Sequence, residues 1–410
     1  MDKTITSSTP GQGRIPVTLL TGFLGAGKTT LLNRLIRHPG LEGTAVLINE
    51  FGEVGIDHHL VETVDEAIVL LDSGCLCCSM RGDFINALKS LHERLSRREI
   101  PDLRRIIVET TGVADPVPIL RALMEERYLR ARFVCDGVLT VVDGSRKVES
   151  LAAFPEAMRQ IAMADRLLIS KGDQGDRGER EALEAWLGSV NPSAPRYLVS
   201  HGRIEPGLLF HGGVYAPTDR LSDLSSWLGG RSGHDPEHRD DHDRHHGHGH
   251  HGGGEIGSFT VTFPDPVSWR GLAGAMGIIL MEHGARILRA KGIVGVRGGV
   301  APLVVQCVQD VAYPPVSLRC WPDSGPLADR QGRLVFIVRG LGEHDVDAIR
   351  GRLADLPDDA AAMRLLARMP TLPTRCWFAQ RLAWMGSGSF ETAGWVVQAP
   401  VRARSGEVRR

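Results

Sequence analysis

Gly22-Phe23-Leu24-Gly25-Ala26-Gly27-Lys28-Thr29 constrains this chain more than any other stretch. It reads Gly-x-x-x-x-Gly-Lys-Thr. An apolar run from Ile15 to Leu20 precedes it, and Leu31, Leu32, Leu35 and Ile36 follow at helical spacing. Strand, glycine loop, helix is the context in which such a motif cradles phosphate. Glycines let the backbone curl so that consecutive N–H groups face an anion. The start of the helix near Lys28 adds its positive end. Lys28 would act as a point charge on the outer phosphates, and the Thr29 hydroxyl would hold Mg²⁺. The alternative is a chance glycine turn beside a lysine. Three glycines, Lys-Thr and both flanks argue together against it.

The chain continues as a strand–helix alternation. Thr44 to Asn49, Ala67 to Leu71, Arg105 to Val108, Val138 to Val142 and Arg166 to Ile169 read as strands, with amphipathic helix over Phe84 to Leu95. Such alternation predicts βαβ units, hence an α/β fold of the P-loop NTPase kind: a mostly parallel sheet flanked by helices. The polar motifs follow the strands' carboxyl ends, where ligands of parallel sheets bind.

From Gly229 to Gly254 there is no Val, Ile, Leu or Phe, and eight of the sixteen histidines fall between His234 and His251. A segment this polar cannot bury enough surface to offset its ordering entropy, so it reads as a mobile linker with weak metal-collecting capacity. Strand-like runs resume at Ser258 to Phe263, Ile287 to Val296, Leu303 to Val308 and Leu334 to Val338, with helices over Ser268 to His283 and His344 to Leu356. The expected organisation is a disordered segment over 1–14, a P-loop domain over 15–228, the linker over 229–254, and a smaller α+β domain over 255–358. No structure is assigned to the tryptophan-bearing 359–410. A net charge of −1 gives no reason to expect nucleic acid or a membrane surface as partner. The polar start and the shortness of the apolar runs argue against a signal peptide or a membrane span. Cysteine usage suits a reducing, cytoplasmic setting.

Three motifs at strand ends carry chemistry. Glu109-Thr110-Thr111-Gly112 follows an apolar strand: its carboxylate can hold Mg²⁺ through water, and Gly112 can offer its N–H to a terminal phosphate. Ser170-Lys171-Gly172-Asp173 sits where a guanine-reading loop belongs. The Asp173 carboxylate can accept two hydrogen bonds that guanine offers and adenine does not. Cys75-Leu76-Cys77-Cys78 gathers three thiols, which as thiolates repel one another and so favour a bound cation such as Zn²⁺ or Co²⁺. Two other readings stay open for that motif: a redox pair of Cys75 and Cys78, and buried packing. Cys135, Cys307, Cys320 and Cys376 are scattered and read as inert.

Taken in order, Gly-x-x-Gly-Ala-Gly-Lys-Thr-Thr (Gly22 to Thr30), Asn-Glu-Phe-Gly (Asn49 to Gly52), Gly-Cys-x-Cys-Cys, Glu-Thr-Thr-Gly and Ser-Lys-x-Asp resemble the CobW-type GTPases. The resemblance extends from Ile15 to about Leu356, and Lys291-Gly292, Gln306 and Arg333 to Val338 are similar to the family's carboxyl-terminal domain. It implies GTP-dependent delivery of zinc or cobalt to a client metalloprotein; no residue is an obvious hydrolytic base, which predicts slow intrinsic turnover. Gly22, Gly25, Ala26, Gly27, Lys28, Thr29, Thr30, Ser170, Lys171 and Asp173 would bind nucleotide. Lys28, Thr29, Glu109 and Gly112 would serve hydrolysis, and Cys75, Cys77 and Cys78 would hold the cargo. Some members serve cobalamin biosynthesis, and a second copy of the chain is a candidate partner. Ser170 departs from the usual Asn. Glu50, Asp57 and Asp72 are candidate switch or metal-relay residues, with the Asn49 to Asp57 loop ordered by GTP. The competing functions are a metal sensor or store with regulatory GTP binding, and a redox-controlled GTPase.

Overall fold

A computed structural model describes residues 14–48, 68–70, 79–100, 102–174, 176–210, 256–313, 315–318, 320–321, 327–367, 382–385 and 389–392. Glu50, Asp57, Asp72, Cys75, Cys77, Cys78, Cys376 and the histidine run lie outside the described residues.

The first unit runs β1 (Ile15–Gly22), α1 (Lys28–Leu35), β2 (Thr44–Ile48), β3 (Ile68–Leu70), α2 (Ser79–Ser96) and β4 (Arg105–Glu109). It continues with α3 (Val117–Glu125), α4 (Arg127–Arg132), β5 (Phe133–Asp143), α5 (Val148–Ala152), α6 (Pro155–Met163), β6 (Arg166–Ser170), α7 (Arg177–Val190) and β7 (Arg196–Val199). The sheet has seven strands in the order β3-β2-β4-β1-β5-β6-β7. Every pairing is parallel. Buried on both faces, such strands must be continuously apolar, as Val17, Leu19 and Leu20 of β1 and Ile106 to Val108 of β4 are. Phe84, Leu88 and Leu91 of α2 with Leu120 of α3 cover one face. Leu31, Leu32 and Leu35 of α1 cover the other. From β1 the chain steps toward β2 and β3, then crosses from β4 over β1 to β5. The carboxyl end of β1 is therefore the topological switch point, where a crevice opens.

The second unit contains β8 (Ile256–Phe263), α8 (Trp269–His283), β9 (Ile287–Val294), β10 (Leu303–Val308), β11 (Val311–Ala312), β12 (Val316–Ser317), β13 (Gly332–Arg339), α9 (Glu343–Ala354) and α10 (Asp359–Ala367). Its antiparallel sheet runs β11-β10-β9-β13-β8, with β12 on β10. Leu272, Met276 and Ile279 of α8 pack with Ala290, Val305 and Phe336 on one side. From the other side, Leu288, Val308, Ile337 and Tyr313 join the core of the first unit.

The two units are also pinned by buried charge. Arg289 pairs with Asp165 and reaches the carbonyl of Met163. Lys291 donates to the carbonyl of Ser193 at 2.9 Å and lies 3.8 Å from Asp165. Gln306 accepts from Arg289 at 3.2 Å, while the second oxygen of Asp165 accepts the Val138 N–H at 3.0 Å. Burial beside Arg289 pushes the Lys291 ammonium well below the ordinary lysine pKa.

Helix α10 lies in the stretch to which the sequence assigned no structure. Asp358 caps it by accepting the Ala361 N–H at 2.6 Å, and Ser268 binds Asp359. Further on, β14 (Leu382–Met385) and β15 (Ser389–Thr392) form an antiparallel hairpin. Among the scattered cysteines, Cys135 and Cys307 are buried and Cys320 is exposed. Desolvation pushes the Cys135 thiol up to about 12, which makes it unreactive as a nucleophile.

Candidate nucleotide site

At the carboxyl end of β1 the chain turns through Phe23 to Gly27, where the Ala26 N–H donates to the Phe23 carbonyl at 3.1 Å. Helix α1 then starts at Lys28, whose buried ammonium lies 3.5 Å from that same carbonyl. One residue on, the Thr29 hydroxyl donates to Glu109 Oε1 at 2.9 Å. Glu109 ends β4, beside β1, which explains how residues so far apart in sequence meet. Hydroxyl and carboxylate together form a set of hard oxygen donors of the kind Mg²⁺ takes. The residues present fit that ion.

The loop after β4 is tied to the glycine turn at several points. The Thr110 N–H donates to the Leu20 carbonyl at 3.0 Å, and its hydroxyl to Thr21 at 2.8 Å. Gly112 is pressed so closely on the turn that a Cβ there would lie 2.8 Å from the Leu24 nitrogen. No other residue fits without moving the turn. The fully buried Gln160 of α6 holds this loop from behind, its amide donating to the carbonyls of Gly112 at 3.2 Å and Ala114 at 3.0 Å.

Ser170 closes β6. Its hydroxyl donates to the Ala26 carbonyl at 2.6 Å and lies 3.2 Å from that of Val142. The serine thus makes a side-chain tie from the end of β6 to the glycine turn. Lys171, in a left-handed conformation at φ 52°, donates to Asp143 at 2.8 Å. Burial drives the Asp143 carboxyl upward, but Lys171 and Ser145 outweigh it and hold the pKa below the ordinary range. Asp173 is half exposed, with His201 Nε2 3.7 Å away. Next to His201, Gly202 brings the loop after β7 against the Thr30 carbonyl.

The structure therefore brings together Thr29 with Glu109, Gly112 with the phosphate turn, and Ser170 with Ala26. Asp173 stands on the neighbouring loop, and the three cysteines lie outside the described residues. Among the described residues no group of three His, Cys, Asp or Glu could hold a metal ion. Sequence reading missed Asp143, Gln160 and His201. Asp143 carried a signal, as a lone acid ending an apolar strand, whereas Gln160 is a helical glutamine like any other until the fold aims it.

This is a nucleotide-binding α/β fold with its crevice at the switch point. Residues 16–197 match the CobW/HypB/UreG nucleotide-binding domain, and residues 256–356 match the cobalamin synthesis protein cobW C-terminal domain. The Escherichia coli zinc chaperone YjiA is 34% identical over 334 residues, which cover 82% of this chain and 97% of the relative. The Pseudomonas aeruginosa zinc chaperone CobW is 32% identical over 327 residues, covering 72% and 80% respectively. The crystal structure of Zn(II)-bound YjiA GTPase from E. coli superposes with a TM-score of 0.58 at 29% identity, over 84% of this chain and 99% of that one. The chain belongs to the CobW/HypB/UreG family.

Proposed function

We propose that this chain is a GTP-dependent metal chaperone that carries Zn²⁺ on Cys75, Cys77 and Cys78 and delivers it to a client metalloprotein. The observation that carries this reading is the match, across nearly the whole length of a relative named a zinc chaperone, in both domains. Gly22 to Thr30 hold the phosphates of GTP, and Lys28 supplies the charge on the outer ones. Thr29 and Glu109 would hold Mg²⁺. Bound there, Mg²⁺ would neutralise charge on the outer phosphates. The Gly112 N–H serves the terminal phosphate. Asp173 reads the guanine edge, and the stem of Lys171 packs on the base. Among the described residues no acid or base stands out as a proton acceptor, and intrinsic turnover is slow in this reading.

Carrier and switch are linked by chain order. The segment from Asn49 to Asp57 leaves the carboxyl end of β2, directly beside Glu109 on β4. The cysteines follow the carboxyl end of β3. At about 4.8 Å per strand, β3 lies on the order of 14 Å from β1. In this reading coupling runs through the segment that joins β2 to β3, ordered by GTP and released on hydrolysis. Thiolate donors also accept Co²⁺, so cobalt is the alternative cargo. Three thiols kept available for metal suit a reducing compartment such as the cytoplasm. Among the described residues no helix is long and apolar enough to cross a membrane.

Anaerobic elemental analysis with Mg²⁺ and a GTP analogue tests the cargo site. Wild type should hold about one zinc per chain and Cys77→Ser markedly less. Equal zinc in both would remove the cysteine motif from the account.

A further inference from the structure

Arg146 belongs to none of the motifs above. It lies in the turn after β5, where its N–H donates to the Asp143 carbonyl at 3.2 Å. That turn throws its side chain back over the phosphate loop. The guanidinium is held there from three sides. Nη2 donates to the Leu24 carbonyl at 3.2 Å, Nε lies 3.6 Å from Asp143 Oδ2, and the cation sits 5.5 Å from the centre of the Phe23 ring. Asp143 is itself immobilised by Ser145 and Lys171. The arginine therefore approaches the loop from a fixed base.

A trans peptide is planar, so its C=O and N–H point to opposite sides. Turning the Leu24 carbonyl toward Arg146 turns the Gly25 N–H away from Arg146. Gly25 has φ 74°, a conformation glycine adopts without penalty and can equally leave. Without a clamp this peptide is free to flip, and a flipped peptide would present an oxygen where an anion needs a donor. Leu24 is gripped on its other side by Gly112, which sits against its nitrogen and Cα. Both observations make the Leu24 backbone the fixed point of the loop.

We infer that Arg146 is a positioning residue for GTP hydrolysis, which holds the Leu24 carbonyl outward and so presets the Gly25 N–H as a donor to the outer phosphates. This deepens the GTPase reading and rests on it. The effect belongs to the transition state more than to ground-state binding, because charge grows on the phosphate oxygens as the reaction proceeds. Losing a transition-state donor outright costs roughly 10²–10³ in kcat, and loosening one should cost about tenfold.

Steady-state GTP hydrolysis by Arg146→Ala, Arg146→Met and Arg146→Lys tests this, with Lys28→Ala alongside and thermal melts of each. Arg146→Ala should lose about tenfold in kcat while GDP affinity stays within about threefold. Arg146→Lys, which keeps a charged donor, should recover part of the loss. Wild-type kcat in Arg146→Ala, or a rise in KM alone, overturns the inference. Should the alanine variant melt early, Arg146→Met, which keeps the stem and has no donor, carries the same comparison. If Lys28→Ala also hydrolyses normally, the GTPase reading itself has failed; if only Arg146→Ala is normal, the clamp alone has.

Discussion

Lys28→Ala should abolish GTP hydrolysis without unfolding the protein. The ammonium of Lys28 sits at the first residue of α1, beside the Phe23 carbonyl at the mouth of the loop. As the γ-phosphoryl group is transferred, charge redistributes over its oxygens, and a fixed cation there stabilises the change. Removing a preorganised electrostatic contact of this kind costs on the order of 10²–10³ in rate, which for a slow GTPase means no measurable turnover. Stability should behave differently. A cation at a helix amino terminus opposes the helix dipole by about 0.3–1 kcal/mol, so alanine there should melt at the same temperature or slightly higher. Turnover by initial-rate phosphate release and a thermal melt on the same sample separate the two effects. Wild-type hydrolysis would contradict the assignment of Gly22 to Thr29.

Asp165→Ala should be the most destabilising single change at the interface between the two units. Asp165 is almost fully buried and faces Arg289 and Lys291, both also buried. Removing it leaves the Arg289 guanidinium and the Lys291 amine without their shared carboxylate. Breaking a buried pair from one side costs roughly 3–5 kcal/mol, whereas replacing the whole cluster by apolar residues is often neutral. Asp165→Leu with Arg289→Met and Lys291→Met should therefore recover most of the loss, as read by urea unfolding. A single variant as stable as wild type would show that the cluster contributes nothing. The pH dependence has a defined sign. Burial drives the Asp165 carboxyl upward, but Arg289 and Lys291 outweigh it and leave the folded pKa depressed. Its contribution is thus present above about pH 4 and is lost as pH falls through the folded value.

These two residues mark what sequence can and cannot reveal. Lys28 was legible because its chemistry is local: glycines, lysine and threonine sit in one short run between a strand and a helix. The strands β1, β2, β4 and β6 were legible for a similar reason, since a parallel sheet buried on both faces demands continuous apolar runs. Asp165 was not legible, because its partner lies 124 positions away on the other unit. Arg146 and Gln160 acquire meaning only once β5 and α6 aim them at the phosphate loop. Ser170 is an intermediate case. The sequence showed a departure from asparagine, and the structure supplies its reason, a hydroxyl that ties the loop to Ala26. Helix α10 and the β14–β15 hairpin were missed because the tail combines a short alanine-rich run with isolated tryptophans and has no clear period.

In the proposed mechanism, nucleotide state controls the thiolate metal site. If GTP orders the segment that joins β2 to β3, the GTP form must bind zinc more tightly than the GDP form. By reciprocity, zinc must then tighten GTP by the same factor. The most direct measurement is an anaerobic zinc competition with a chromophoric chelator, run on the Mg²⁺–GTP-analogue and Mg²⁺–GDP complexes of the same preparation. Coupling of the usual size, about 5–150-fold tighter zinc in the GTP-analogue complex, is the predicted result. Equal zinc affinity in the two complexes would contradict it.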